Sequence, residues 1–98
     1  MTAALMLPSY GNSSRTDLIL EVASLGLAVE NALHELGPAG EARARAQFHH
    51  AMASLLALVE AEQEDDEARE RVVENWSHHA QLVEEYKAEL AQLEGETL

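Results

Sequence analysis

The chain has 98 residues, no cysteine, and a formal charge of −12 from 18 acids against 6 bases. That length sets an expectation of one small domain with a limited core. The missing thiols exclude disulfides and thiolate metal sites, and so large an acid surplus repels nucleic-acid phosphates and anionic lipid.

The charge is uneven. Residues 1–58 carry five acids and three bases, whereas residues 59–98 carry thirteen acids and three bases. The acidic half would serve solubility, or would steer the chain toward a basic protein surface. The first residues, MTAALMLPSYG, contain no basic region and only a short apolar run, so no secretory signal is expected. No apolar stretch is long enough to span a bilayer. With the absence of cysteine, these features set the expectation of a cytoplasmic protein.

Residues 1–13 read as an irregular, flexible N-terminal segment rich in turn formers: Pro8, Gly11, Asn12 and two serines. Leu5, Met6, Leu7 and Tyr10 make it stickier than an ordinary tail. A helical domain is expected over 14–95. Ser14-Arg15-Thr16-Asp17 is a capping-box pattern, which starts a first helix near Arg15. The stretch from Asp17 to Leu36 is apolar on most of its circumference, apart from a narrow stripe of Glu21, Ser24, Ala28, Asn31 and Glu35. Its seam Leu18, Val22, Leu25, Val29, Ala32, Leu36 alternates steps of four and three, as in helix bundles. This helix is expected to organise the chain, with more apolar surface than its own chain can cover. Gly26 within it suggests a close helix approach. Gly37-Pro38 ends it, and Gly40 is expected to complete a short loop.

A second helix is expected over 41–63, with the seam Phe48, Met52, Leu55, Val59. Its small, mildly polar face of Gln47, His50, Ser54, Ala57 and Ala61 suits water or a close partner. The run Glu62–Glu67 permits a turn, with Asp65 or Asp66 capping the next helix, or one continuous rod. A third helix is expected over 67–94, with the seam Val72, Trp76, His79, Val83, Tyr86, Leu90, Leu93, ended by Gly95. Folding the last two helices about residue 64 sets Glu41 against Lys87, Arg43 against Glu85, Arg45 against Glu84 and Glu60 against Arg69. It also levels Met52 with Trp76, Leu55 with Val73 and Phe48 with Ala80. The hairpin is therefore preferred to the rod.

Histidines are the first candidates for chemistry. His49-His50 and His78-His79 reach one level in that hairpin, and four imidazoles could suggest zinc. Adjacent helix positions point about 100° apart, however, so a His-His pair cannot aim both rings at one ion. His79 lies on a seam, His49 and His78 flank, and Glu74 is the available carboxylate for a His/Glu metal-binding bundle. No metal or other cofactor is assigned. His34-Glu35-Leu36-Gly37-Pro38 resembles the H-box of two-component histidine kinases and related phosphotransferases. The resemblance covers five residues. One residue is missing before Pro38, and Gly37 stands where that family has a basic residue. It implies a histidine phosphotransfer module acting through His34, without kinase activity, since no nucleotide-binding glycine motif is present. No serine-hydrolase elbow or phosphate loop occurs, so no catalytic residue is assigned and a non-enzymatic protein is expected.

The expected architecture is an all-α three-helix bundle that forms a homodimer, with Phe48, Met52, Trp76, His79 and Tyr86 as core or dimer anchors. The expected function is binding of another protein, through an exposed helix or a basic or hydrophobic patch, to sequester or chaperone it as an adaptor, chaperone or antagonist. Leu20, Leu27 and Leu56, which lie off the main seams, are the expected contact residues. Glu64, Asp65, Asp66, Glu67 and Glu70 are the expected acidic ones.

Overall fold

The computed structural model describes residues 7–10 and 13–96, and among these it contains three helices and no strand. The all-α class therefore holds. One helical run, Arg15–Glu62, is broken at Gly37 into α1 (residues 15–36) and α2 (residues 38–62); α3 is Asp66–Glu96. None of the helices in the described residues is long and apolar enough to cross a membrane.

Local chemistry fixes each boundary. Ser14 Oγ accepts the Asp17 N–H at 3.1 Å, and Asp17 Oδ2 accepts the Ser14 N–H at 3.4 Å. Two otherwise unpaired backbone donors are thus satisfied where α1 begins. Gly37 has φ 74° and ψ −173°, a conformation that is essentially open to glycine alone. The expected loop through Gly40 does not form. Helix resumes directly at Pro38, whose fixed φ and missing N–H suit a first helical position. Gly40 lies within the first turn of α2, where a Cβ would collide with the Leu36 side chain. Close approach across the kink is what requires glycine there.

At the other end of α2, the Gln63 N–H bonds back to the Glu60 carbonyl at 3.1 Å. Asp65 Oδ2 accepts the Ala68 N–H at 3.2 Å, which makes Asp65 the cap of α3. Arg69 reaches back across the turn to the Gln63 carbonyl at 2.7 Å. The chain is therefore a hairpin here and not a rod. Gly95 does not end α3: the helix continues through it to Glu96, and Gly37 is the one described residue with positive φ.

The packing differs from a closed bundle. Contact runs from α1 to α2 and from α2 to α3, so α2 is the shared element instead of α1. Arg15 at the start of α1 meets Glu62 at the end of α2 at 3.0 Å, which fixes the antiparallel pairing. The buried residues among those described are mostly small: Ala42, Ala44, Ala46 and Ala51 on α2 and Ala32 on α1, with Leu18, Val83 and Leu90 as the large ones. Ala44 and Ala51 are seven residues apart and share one side of α2. Ala42 and Ala46 are four apart and fall on the nearly opposite side. Alanines on both sides let α2 be approached closely from two directions. Gly26 of α1 faces the Phe48 ring, where a Cβ would stand at an ordinary contact distance of 3.5 Å.

None of the four expected cross-hairpin ion pairs forms among the described residues. Arg45 holds Glu41 of its own helix at 2.8 Å, Lys87 lies 3.6 Å from Glu84, and Arg69 lies 3.8 Å from Asp66. Arg43 does cross to α3, but to Glu94 at 2.9 Å instead of Glu85. A partner three or four residues along the same helix needs less side-chain ordering than one on the neighbouring helix, which favours the local pairs.

Gly26 within α1 and Gly37 at the kink should respond in opposite directions to alanine. Gly26→Ala meets only ordinary van der Waals contact and should gain up to about 1 kcal/mol of helix propensity. Gly37→Ala forces a positive φ on a residue with a Cβ and should cost about 1–3 kcal/mol. Urea unfolding followed by circular dichroism measures both. A stabilised Gly37→Ala variant would contradict the kink.

Candidate interaction surface

α1 has one helical neighbour, so its far side faces solvent. On that side Leu20 is 64% exposed, Leu27 62% and Ile19 49%. At 3.6 residues per turn, Leu20, Ala23 and Leu27 fall on one stripe with Ile19 at its edge. Ala23 is also exposed. The stripe lies nearly opposite buried Leu18 and Ala32. Leu20 and Leu27, expected as contact residues, are thus both surface residues of one face. Leu56, expected with them, is half-buried on α2 and belongs elsewhere. Ile19 joins this face at its edge, as an apolar residue that belongs to no seam of the sequence pattern. Leu36, read as part of the inward seam, is 66% exposed. It closes α1 at the kink, where the chain turns straight into α2 and no further described element covers it.

The acidic candidates Glu64, Asp65, Asp66, Glu67 and Glu70 are all exposed around the α2–α3 turn. Three of them already have local partners. Asp65 caps α3, Asp66 lies near Arg69, and Glu67 holds Arg71 at 3.1 Å. Acids in the first turn of α3 also complement the positive end of its dipole. The cluster therefore helps to build the helix start, in addition to any effect it has at a distance. The Arg15–Glu62 pair places this turn at the same end of the molecule as the beginning of α1.

The five aromatic and sulfur anchors divide between two seams of this one chain. Phe48 faces Gly26 of α1. Trp76 donates its indole N–H to Glu60 Oε2 at 2.9 Å across the hairpin. Tyr86 stacks on His49 with ring centroids 5.7 Å apart, and the Arg45 guanidinium lies 5.9 Å from the Tyr86 ring centre. Met52 and His79 are likewise half-buried. Trp76, levelled by the sequence with Met52, turns its polar edge to Glu60, because an indole N–H taken from water needs an acceptor.

His49 and His79 meet directly, their Nδ1 atoms 2.8 Å apart, at the level expected for a turn near residue 64. One ring must donate and the other accept, so the contact requires at least one of the two Nδ1 atoms to be unprotonated. His78 lies beside His79, with ring centroids 5.9 Å apart. His50 points the other way, its Nε2 2.6 Å from the Pro8 carbonyl oxygen and its ring 5.4 Å from that of Tyr10. Among the described residues, no three histidines, aspartates or glutamates converge where they could hold a metal ion. Glu74 is exposed.

The described part of the N-terminal segment lies against the small face of α2. Tyr10 and Ser13 line a shallow cleft with Leu18, Ser54, Ala57, Leu58 and Ala61. Burial and the nearby Glu21 carboxylate push the Tyr10 phenol up. The expected contributors Leu5 and Met6, and the turn residues Gly11 and Asn12, lie outside the described residues. His34 is exposed in the last turn of α1.

Comparison with protein families, with characterised proteins and with solved structures finds no match. The surface must be read from its own chemistry.

Burial pushes the His49 imidazole down to about 4, aided by His79, Arg45 and His78. Burial and His78 lower His79 as well. The unfolded chain therefore binds protons that the folded chain refuses between the ordinary histidine value near 6.5 and about 4. Stability should be level above that window and fall as pH drops through it. The slope approaches, and for half-buried rings stays below, about 1.4 kcal/mol per pH unit for each excluded proton. Urea midpoints compared with those of a His49→Gln/His79→Gln variant separate this slope from the titration of the carboxylates. Equal slopes in the two proteins would rule out the histidines as its source.

Proposed function

We propose that this chain is a small non-enzymatic interaction module that binds a partner protein through the outer face of α1. The observation that carries the reading is that Leu20 and Leu27 stand more than half exposed on a helix with one neighbour. Aliphatic side chains in such a row gain roughly 25 cal/mol for each Å² removed from water, and no described element of this chain covers them. Binding there would hold a partner's apolar segment soluble or inactive, the work of a chaperone, adaptor or antagonist. The acidic half, at −10 over residues 59–98, supports long-range steering toward a basic partner. Self-association through the same face is the other use of it.

Co-purification from the native cell, followed by mass spectrometry, should recover a protein with the wild-type chain that is missing from a Leu20→Gln/Leu27→Gln variant. The two positions are exposed, so the variant should fold as the wild type does. Recovery of both chains alone and monomeric at micromolar concentration would remove the basis for the assignment.

A further inference from the structure

The exposed face of α1 has charged borders of one sign. The helix carries four acids, Asp17, Glu21, Glu30 and Glu35, and one base, Arg15. Arg15 is held by Glu62 at 3.0 Å, at the far end of α2. At 3.6 residues per turn, Glu30 falls beside Ile19 on one side of the Leu20–Ala23–Leu27 stripe. Asp17 and Glu35 fall on the other, with Glu21 beyond them toward Tyr10, whose phenol feels its charge. All four carboxylates are exposed. Thr16, Asn31 and His34 continue the stripe toward its ends, and these are exposed as well. The surface is thus an apolar strip about 10 Å long between Leu20 and Leu27, with Glu21 level with it on one side, Asp17 and Glu30 about one turn beyond its two ends, and Glu35 farther along the helix.

Resting on the assignment of this face to partner binding, we propose that its occupant is a cationic amphipathic helix of another protein, and not a second copy of this chain. Charge complementarity selects the sign. A helix that lays apolar residues at i, i+3, i+4 and i+7 along the strip brings its flanking positions against the acidic borders, where lysine or arginine is favoured. A second copy would bring the same carboxylates against themselves, between molecules that each carry −12. Extent points the same way. A few exposed aliphatic side chains amount to a patch of a few hundred Å², short of the roughly 800 Å² per partner that a stable dimer buries. A single docked helix needs less.

The test is fluorescence anisotropy with three labelled synthetic peptides and the full chain. One peptide is an amphipathic helix with a leucine–alanine face flanked by lysines. The second has glutamates in place of the lysines. The third keeps the cationic composition in a scrambled order that destroys the apolar face. The cationic amphipathic peptide should bind about tenfold or more tightly than either of the others, and more weakly as salt rises. Leu20→Gln/Leu27→Gln should weaken it about tenfold without altering charge. Glu30→Gln/Glu35→Gln should weaken it and flatten the salt dependence. Equal binding of the glutamate peptide, or indifference to Leu20→Gln/Leu27→Gln, would overturn the partner class. Should the peptides fail while sedimentation shows a dimer that Leu20→Gln/Leu27→Gln dissolves, the occupant is a second copy; the partner class then falls and the binding face stands. A monomer that binds none of the peptides overturns this inference, and the co-purification experiment separately decides the binding face.

Discussion

Close packing on two sides of α2 is the constraint from which the rest of the structure follows. Ala42, Ala44, Ala46 and Ala51 are buried there, and no long side chain could occupy their places without moving a neighbouring helix away. A helix flanked on both sides cannot itself present a large free surface. The cost falls on α1, which receives cover from one helix and keeps Ile19, Leu20 and Leu27 in solvent. The exposed face thus reflects how this chain arranges its helices and not a shortage of helix. Three large side chains, Leu18, Val83 and Leu90, complete a core that is thin for the size of the domain.

The α2–α3 contact has a different character. Hydrogen bonds and rings lie along its length: His49 with His79, Trp76 with Glu60, Tyr86 stacked on His49. Directional contacts of this kind specify one register, whereas apolar packing alone tolerates slippage. They also make the seam sensitive to proton binding. Two imidazoles 2.8 Å apart, beside Arg45 and His78, leave no room for a second positive charge. Adhesion of α1 to α2 has no comparable histidine pair among the described contacts, and its cross-helix ion pair is Arg15 with Glu62.

Acidity has more than one role here. Near the turn, carboxylates cap α3 and pair with Arg69 and Arg71. Along α1 they border the exposed strip. In each place the physical effect is local, since charges separated by more than about 10 Å are screened at moderate salt.

The sequence by itself determined the helices and several of their ends. Ser14-Arg15-Thr16-Asp17, Gly37-Pro38 and Asp65 carry their instructions in a few adjacent residues, because caps and breakers act through backbone atoms within one turn. It also marked Leu20 and Leu27 as off-seam, since apolar periodicity is a property of one helix at a time. Only the tertiary structure decided that α2, and not α1, is the shared helix. It likewise decided that Leu36 is exposed, that Leu56 is half-buried, that Pro8 and Tyr10 lie against His50, and that Arg43 reaches Glu94. Those outcomes depend on distances between residues far apart in the chain. Periodicity says which faces must be covered, but the choice of what covers them rests on how closely small residues such as Ala44 and Ala51 allow two helices to approach.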